Sequence, residues 1–412
     1  MFGDFVIFIS MALVLCFTIY KTKDLLHPSV VLSTVFTIDV LFFIIIRFVL
    51  NSSYHLRWNV LYFTLGLLVF YIGNYFGEHK NIYKIEPLKE NNNKCVTFIY
   101  KFFLIVQLIV CIFFILDITR EVVLKDGDSI LKYLYATKNG EYSEKYLFEF
   151  FRTIGIVLSQ YSFFVLISKK VSKKDIIYFG VQILIAVLYV VVANNRQMLF
   201  MLIIPMIFIY LYYDYKSSNQ LLKKILASII ILFILITVQC IIKKQPVDFE
   251  FLRLYLNSGI VSFSEWMINP TEQYNGAYTF RFISTLLYRL KIANLPAYWI
   301  DMRYLKLPHI DWAVGNVYTF YHGFAQDFGI WYALFVQFII GIFYGYIYRN
   351  AHAKKTSFWI MLLMIFYYPL IMQFFTEQYA SHVSYWLQTT FWLYIACNTR
   401  ILYREINKES GI

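Results

Sequence analysis

The stretch at residues 28–50 reads PSVVLSTVFTIDVLFFIIIRFVL and has two charged residues, Asp39 and Arg47. About twenty consecutive apolar residues in a helix are long enough to cross the roughly 30 Å hydrocarbon layer of a bilayer. Comparable stretches recur along the chain, which predicts a bundle of membrane-spanning helices. The predicted spans are residues 2–20, 28–50, 58–77, 96–117, 148–168, 176–193, 198–213, 224–242, 328–348, 357–375 and 383–398.

The composition favours the same class of fold. Of the 412 residues, 60% are hydrophobic and 15% are charged, whereas soluble domains average about 45–50% apolar and about 25% charged residues. We therefore predict an all-α polytopic transmembrane helix bundle of about eleven spans, in which residues 1–412 form a single integral membrane domain. The first span is expected to remain in the mature protein, because Lys21 and Lys23 follow it, the reverse of a secretory signal.

The net charge of +12 would suggest nucleic-acid binding in a soluble protein. Here the Lys residues cluster in short tracts between apolar stretches, as topology signals do, and no nucleic-acid partner is expected. The five Cys residues are isolated, which argues against a disulfide framework or a CxxC metal site. The sequence has no nucleotide-binding loop, zinc motif or nucleophile elbow, so we expect neither a cofactor nor a metal.

Lys-rich tracts determine the predicted topology. Cytoplasmic loops carry an excess of Lys and Arg, which places the N-terminus outside and the C-terminus in the cytoplasm. Two non-spanning segments are then predicted to lie outside, residues 119–147 and the longer segment 243–327. The tracts assigned to the cytoplasm contain Lys21 and residues 80–94, 169–174, 216–224, 349–355 and 400–408.

Two parts of the long outer segment mix apolar and basic residues at helical spacing. They begin at Phe249 and at Tyr278, and both patterns predict amphipathic helices at the membrane interface. We expect them to form one wall of an outward-facing cavity, bordered by Tyr318, Tyr321, His322 and Asp327. The two tyrosines are equally compatible with an interfacial aromatic belt.

Arginine residues on the predicted outer face are candidates for binding an anion. A guanidinium group has a fixed fork of donors that matches phosphate oxygens bidentately. Arg196 lies in a tight turn between two spans, and its alternative role is an anchor to ordinary lipid phosphate. Arg281 and Arg289 are eight positions apart and share a helix face, which is equally compatible with an interfacial stripe. The other outer-face arginines are Arg253 and Arg303, of which Arg303 is also selected as a binding candidate.

Acidic and His residues on the same face are candidates for a general base. We select Asp327, His322 and Glu377 as candidate catalytic residues. Within the second span, Asp39 is a functional candidate because ionisable residues are costly there, although a structural contact with Arg47 explains it equally well. The other outer-face candidates are Glu265, Glu272, Asp301, Asp311, His309 and His382.

Two stretches carry a resemblance to a known family. The run from Gly315 to Leu334 reads GNVYTFYHGFAQDFGIWYAL, and Asn195 with Arg196 forms a turn after the sixth predicted span. Both resemble the corresponding parts of Wzy-type oligosaccharide repeat-unit polymerases. The layout is also similar, with a long outer loop before the last three spans. An Arg-x10-Gly pattern of some members is absent, since Arg303 and Gly315 are one residue too far apart.

The resemblance implies a metal-independent glycosyltransferase in the bacterial cytoplasmic membrane. Its substrates would be oligosaccharide repeat units linked to undecaprenyl diphosphate, polymerised on the outer face into O-antigen of lipopolysaccharide or into capsule. By matching position, the resemblance implies diphosphate binding for Arg196 alone. We also select Asn316, Tyr318 and Tyr321 as candidate substrate-binding residues, because aromatic rings there would stack on sugar faces. A chain-length regulator protein is a further expected partner, beside the lipid bilayer itself.

Two other functions remain open from the sequence. An O-antigen ligase has a similar layout but typically carries His-Asn before a Tyr in its final outer loop, and Gly315 occupies that His position here. A lipid-linked oligosaccharide flippase or another transporter usually has short loops around an inner cavity, and the segment 243–327 argues against it.

Overall fold

A computed structural model describes most of the chain. The residues described are 2–49, 54–79, 98–126, 146–168, 173–192, 196–214, 249–270, 275–294, 305–306, 314–315 and 317–398, with isolated positions between 220 and 237.

Helices account for nearly all of the described structure. A two-residue antiparallel pair, β1 (Leu305–Lys306) and β2 (Val314–Gly315), is the one sheet among the described residues. Short 3-10 turns lie at Trp58–Val60, Met372–Phe374 and Ala380–His382. The helices are α1 (Phe2–Thr22), α2 (Pro28–Val49), α3 (Leu61–His79), α4 (Phe98–Asp126), α5 (Tyr146–Ser168), α6 (Lys173–Val192), α7 (Arg196–Asp214), α8 (Phe249–Trp266), α9 (Arg281–Arg289), α10 (Tyr321–Phe328), α11 (Ile330–Lys354), α12 (Ser357–Ile371) and α13 (Val383–Asn398).

Seven helical stretches in the described part of the chain are long and apolar enough to cross a bilayer, and two shorter apolar helices cover Asp175–Val190 and Gln197–Tyr213. The prediction of an all-helical, multi-pass membrane protein is therefore confirmed. The figure of eleven spans stays a prediction, because the proposed span at 224–242 lies almost wholly outside the described residues. The seven stretches are Phe2–Thr22, Pro28–Val49, Trp58–His79, Tyr100–Asp117, Leu147–Ser168, Ile330–Lys354 and Ser357–Phe374.

The chain divides into two compact units, and the single integral membrane domain stays a prediction. The first contains Met1–Ile85, Val247–Lys354 and Pro369–Ser384. The second contains Glu86–Pro246, Lys355–Tyr368 and Tyr385–Ile412. All of the candidate-site contacts described below lie within the first unit.

Helices α3 and α11 pack tightly against each other in the first unit. A Cβ atom on Gly73 would lie 2.2 Å from the main-chain oxygen of Phe338, so only glycine allows this approach. On α11, Gly341 and Gly345 meet α3 in the same way. Small residues at such crossings let helix backbones approach closely in a membrane, where packing rather than hydrophobic exclusion drives association.

One end of the first unit is closed by ion pairs. Buried Asp4 accepts hydrogen bonds from Arg47 at 2.5 Å and from the main-chain N–H of Leu56 at 2.8 Å, and His55 contacts it at 2.8 Å. The Arg47 partner is therefore Asp4, and the sequence-based alternative of an Asp39–Arg47 contact is wrong. At the same end, Arg57 binds Glu265 at 2.8 Å.

The opposite end of the first unit has its own polar contacts. Buried His27 lies 2.6 Å from Glu78, and Tyr348 donates a hydrogen bond to Asp24 at 2.6 Å. These contacts join the C-terminal end of α1, the start of α2 and the ends of α3 and α11. The long helices α1, α2, α3 and α11 run between these two polar ends of the unit.

Helix α8 is inserted beside α2, whereas the sequence predicted an interfacial helix in an outer loop. Its residue Asn257 donates to Asp39 in the middle of α2, and its Glu265 binds Arg57 at the end of the unit. At 1.5 Å per residue, Asn257 lies roughly 12 Å deeper than Glu265. This insertion buries the apolar and hydroxyl side chains of residues 257–264 against other parts of the protein. The amphipathic pattern in the sequence does not show whether such side chains contact protein or lipid. Helix α9 does have the exposed, amphipathic character predicted for it.

The second unit is held by polar contacts between its helices. Buried Gln182 of α6 donates to Gln107 of α4 at 2.6 Å, and Gln160 of α5 donates to the main-chain oxygen of Met201 in α7 at 2.7 Å. In hydrocarbon such amides must find partners within the protein, so they hold neighbouring helices together.

Candidate functional site

Asp327 anchors a turn rather than facing open space. Its side chain, at the end of α10, is fully buried. One carboxylate oxygen accepts the main-chain N–H of Tyr278 at 3.1 Å, and the other accepts the N–H and the hydroxyl of Thr279, both at 2.6 Å. Three donors leave little of the carboxylate for a substrate. Asp327 therefore positions the turn that leads into α9.

Glu377 holds a second turn in the same way. It accepts hydrogen bonds from the main-chain N–H groups of Tyr379, of Ala380 at 2.7 Å and of Ser381 at 3.0 Å, and from the hydroxyl of Tyr278. Burial raises the pKa of Glu377, although these hydrogen bonds act in the opposite direction. A carboxylate has about four lone-pair directions, and four donors occupy them. Glu377 therefore orders the 3-10 turn Ala380–His382 rather than serving as a base.

Tyr278 connects the two carboxylates. Its main-chain N–H bonds to Asp327 and its hydroxyl to Glu377. Burial and the neighbouring Glu377 raise the pKa of Tyr278 well above its ordinary value, so the phenol remains a donor. Its ring packs over Gly323, where a Cβ atom would lie 2.3 Å from the ring. The turn before α9 and the turn before α13 are thus joined through one side chain.

Tyr278→Phe is expected to lower stability by about 1.5 to 3 kcal/mol, the usual contribution of a hydrogen bond to a charged group. The ring can stay over Gly323, but buried Glu377 loses one of its donors. Thermal unfolding of the detergent-purified protein measures the change, with Tyr288→Phe, on the exposed face of α9, as the matched control. An equal effect of the two substitutions would contradict this role of Tyr278.

The two turns bring Arg281 and His382 together. Arg281 is the first residue of α9 and follows the turn held by Asp327, and His382 ends the turn held by Glu377. Burial, together with the positive charge of nearby Arg281, lowers the pKa of His382 to about 4. The imidazole is therefore neutral at physiological pH, beside a permanent cation.

Ser381 contacts Nδ1 of His382. Its hydroxyl lies 3.1 Å from the main-chain oxygen of Glu377 and 2.6 Å from Nδ1 of His382. A hydroxyl has one proton to donate; with that proton assigned to the Glu377 oxygen, Ser381 accepts the Nδ1–H of the imidazole. The lone pair of the neutral ring is then on Nε2, the nitrogen that can accept a proton.

A network of glutamine and tyrosine side chains connects the segment that contains the 3-10 turn Ala380–His382 to helix α11. Gln373 accepts a hydrogen bond from Gln337 at 2.9 Å and donates to the hydroxyl of Tyr379 at 3.1 Å, and the hydroxyl of Tyr344 lies 3.0 Å from that of Tyr379. Because Gln337 and Tyr344 belong to α11, the segment from Met372 to His382 is attached to a long helix of the first unit.

His322, Tyr318 and Tyr321 belong to a buried aromatic cluster. The His322 ring stacks on Tyr318 with centroids 3.9 Å apart and meets the edge of Trp266 at 5.1 Å. The ring of Tyr321 packs edge-on against the ring of Tyr62 and is fully buried. We predicted that these rings border an open cavity. In the structure they are instead packed within the aromatic cluster. Their positions in α10 and just before it support the turn held by Asp327.

The remaining candidate site residues lie outside these two turns and the aromatic cluster. Arg289 ends α9, two turns from Arg281, and Glu265 is engaged with Arg57. Arg196 begins α7, but nothing is described of its side chain. Arg303, Asn316, Glu272, Asp301, Asp311 and His309 lie outside the described residues.

Sequence reasoning kept His382 as an alternative base but did not select it, and it missed Tyr278 and Ser381. The available signal was the position of His382 in a short polar loop between two apolar helices. Among the described residues, no group of three or more His, Cys, Asp or Glu side chains is placed to hold a metal ion. Comparison with protein-family models, with curated proteins and with solved structures finds no match.

Proposed function

We propose that this protein is a lipid-linked oligosaccharide polymerase. It would transfer a growing glycan from undecaprenyl diphosphate to a hydroxyl group of a lipid-linked repeat unit, building O-antigen or capsular polysaccharide at the outer face of the bacterial cytoplasmic membrane. The observation that carries the proposal is the packing of α9, which begins at Arg281, against the 3-10 turn that ends at His382. This pair supplies an anion-binding group and a proton acceptor, the two requirements of the reaction.

The proposed reaction is a displacement at the anomeric carbon of the donor sugar. The acceptor hydroxyl forms the new bond to this carbon and gives its proton to Nε2 of His382. The bond from the anomeric carbon to the diphosphate oxygen breaks, and undecaprenyl diphosphate leaves with the electron pair. Arg281 stabilises the negative charge that develops on the leaving group, with Arg289 as a further proposed ligand.

The diphosphate also adjusts the base in this proposal. The positive charge of Arg281 contributes to the low pKa of His382. An anion bound to Arg281 offsets that charge, so the pKa of His382 rises when the donor binds. The imidazole is then a stronger base in the complex than in the free protein.

The distribution of basic residues supports an outward-facing site. Arg281 follows the turn held by Asp327, and Asp327 itself lies just before the start of α11. At that start, the main-chain oxygen of Ile330 accepts a hydrogen bond from Tyr62, near the start of α3, at 2.6 Å. The site is therefore at the end of the first unit where α3 and α11 begin. The opposite end carries Lys21, Lys23, Arg349 and Lys354, and the positive-inside rule assigns that end to the cytoplasm.

Cysteine labelling tests this orientation. A membrane-impermeant thiol reagent added from outside is expected to label a cysteine at position 275, directly before the Asp327-held turn, and not one at position 91, in a Lys-rich tract. Both are introduced into an otherwise cysteine-free variant. Labelling at 91 and protection at 275 would reverse the topology and place the site in the cytoplasm.

The glycan phenotype of a deletion strain tests the function. Loss of a polymerase should leave surface glycans that end at one repeat unit, and the intact gene should restore long chains. A flippase deletion would leave no surface repeat unit, and a ligase deletion would leave polymer detached from its final acceptor. Either of the last two outcomes would contradict the proposal.

A further inference from the structure

A buried polar pair joins α2 and α8 in the middle of the first unit. The side chains of Asp39 and Asn257 are 3% and 1% exposed. The amide nitrogen of Asn257 donates to Oδ1 of Asp39 at 2.8 Å and to its main-chain oxygen at 2.9 Å. These two bonds determine the orientation of the amide, so the Asn257 oxygen is an acceptor that still needs a donor.

The pair has a second oxygen atom of the same kind. Oδ2 of Asp39 and Oδ1 of Asn257 are both buried, and neither accepts a hydrogen bond from any described residue. With the carboxyl group ionised, both oxygens would lack a donor, and each buried acceptor left in that state lowers stability. One proton on Oδ2 of Asp39 removes both deficits, because the resulting hydroxyl donates to the Asn257 oxygen.

The charges of the neighbouring elements lie at a different depth from Asp39, which is near the middle of α2. Helix α2 packs against α1, α3, α8, α11 and the 3-10 turn Met372–Phe374. Among the described side chains of these elements, the charged and His residues lie at the two polar ends of the unit, and Cys16 and the tyrosines are uncharged near neutral pH. Arg47 of α2 lies roughly 12 Å along the helix and binds Asp4. The charged and His residues are Asp4 and Lys21 of α1, Glu78 and His79 of α3, Glu265 of α8, and Arg349, His352 and Lys354 of α11.

We propose that Asp39 carries a proton in the folded protein and that this proton locks α8 to α2. The α2–α8 lock consists of two reciprocal hydrogen bonds, from the Asn257 nitrogen to Oδ1 of Asp39 and from Oδ2 of Asp39 to the Asn257 oxygen. A hydrogen-bonded neutral acid is far less costly at membrane depth than an ionised carboxylate without a compensating charge. Loss of the proton places a charge and two acceptors without a donor between the helices, so ionisation opens the lock.

The α2–α8 lock also supports the segment that leads to His382. A Cβ atom on Gly259 of α8 would lie 2.3 Å from the main-chain oxygen of Phe374, so α8 packs directly on the start of the segment Met372–His382. At the end of α8, the Trp266 ring meets the edge of His322 at 5.1 Å. Opening of the lock is therefore expected to loosen this segment. The proposal does not rest on the glycosyl-transfer chemistry, because it concerns only the proton and the helices that it joins.

A proton held only by the folded state makes stability depend on pH. In the unfolded chain an Asp side chain is ionised above about pH 4, so the folded protein holds one proton more until Asp39 itself ionises. Stability then falls as the pH rises, and the folding equilibrium constant decreases by up to about tenfold per pH unit. Asp39→Asn is the matched variant, because its oxygen and its NH₂ group reproduce the acceptor and the donor of the neutral acid.

Infrared spectroscopy of the full-length protein in detergent at neutral pH detects the proton directly. The difference between the wild type and Asp39→Asn should contain the C=O band of a protonated carboxylic acid. Labelling the side-chain carboxyl carbon of aspartate with ¹³C should shift this band in the wild type, which covers the case in which Asp39→Asn does not fold. Glu265→Gln, which changes an acid paired with Arg57, should keep the band. A carboxylate band in its place, or no ¹³C-sensitive acid band in the wild type, would overturn the proposal.

Equilibrium unfolding in mixed micelles with sodium dodecyl sulfate, measured as a function of pH, tests the lock. The wild type and Glu265→Gln should lose stability with rising pH more steeply than Asp39→Asn, by the slope of one proton. Asp39→Asn should be about as stable as the wild type at acidic pH, where both pairs have the same hydrogen bonds. Equal slopes in the wild type and Asp39→Asn would overturn the proposal, as would an Asp39→Asn protein that is much less stable at every pH.

Discussion

His382→Ala is expected to lower the rate of polymerisation by about 100- to 10,000-fold, the usual contribution of a positioned general base. Ser381 contacts Nδ1 of His382, so in the proposed reaction Nε2 would take the proton of the acceptor hydroxyl. Chain-length profiles of a complemented deletion strain and turnover of a lipid-linked repeat unit by purified protein measure the loss. Long glycan from His382→Ala at normal protein levels would show that another group is the base.

Ser381→Ala is the companion variant. It keeps the imidazole but removes the acceptor for Nδ1–H, so the two tautomers become closer in energy. The expected result is a smaller loss of rate than in His382→Ala, with the amount of protein in the membrane unchanged. Identical losses in both variants would indicate that the turn, rather than the proton acceptor, had been disturbed.

The pH dependence of the reaction follows from the lowered pKa of His382. The free protein protonates this imidazole only near pH 4, and the protonated form cannot act as a base. The value of kcat/KM, which reports the free protein, should therefore hold as the pH falls below the ordinary His range and decline only towards pH 4. The acid limb of kcat should lie at higher pH, because bound diphosphate offsets the charge of Arg281.

Arg281→Ala is expected to lower the rate by on the order of a hundredfold or more. Each hydrogen bond to a charged group contributes about 1.5 to 3 kcal/mol, and losing a bidentate pair in the transition state corresponds to at least that factor in rate. Arg281→Lys keeps the charge but not the fork, so it should retain only a small fraction of activity. We expect the same pattern for Arg196→Ala and Arg196→Lys, on the basis of the family resemblance alone.

Arg281→Ala has a second expected effect that a merely structural residue would not produce. Because its positive charge lowers the pKa of His382, removing it should raise that pKa and move the acid limb of kcat/KM to higher pH. Arg289→Ala, at the other end of the same helix, is the matched control and should leave the limb in place. If the acid limb of kcat/KM did not shift in Arg281→Ala, the charge of Arg281 would not influence His382. The main support for the proposed function would then be lost.

The sequence alone determined the class of the protein. Long apolar stretches and Lys-rich tracts are local properties, and a bilayer converts them directly into spans and a predicted orientation. The exposed amphipathic helix at Arg281–Arg289 was predictable for the same reason, since its pattern is contained within nine residues. The sequence pattern suggested Asp327 and Glu377 as candidate catalytic residues, whereas their contacts indicate that each holds a turn.

Only the tertiary structure decided what those acids do. The donors of Asp327 are 48 and 49 positions away, and Tyr278 lies 99 positions from Glu377; no local pattern encodes such pairings. Long-range packing also inserted α8 beside α2, where Asn257 donates to Asp39, and the small Gly259 lets α8 approach the main chain of Phe374. An amphipathic stripe specifies neither contact. The same pairings placed Arg281 beside His382, and burial together with that charge then set the protonation state of the imidazole.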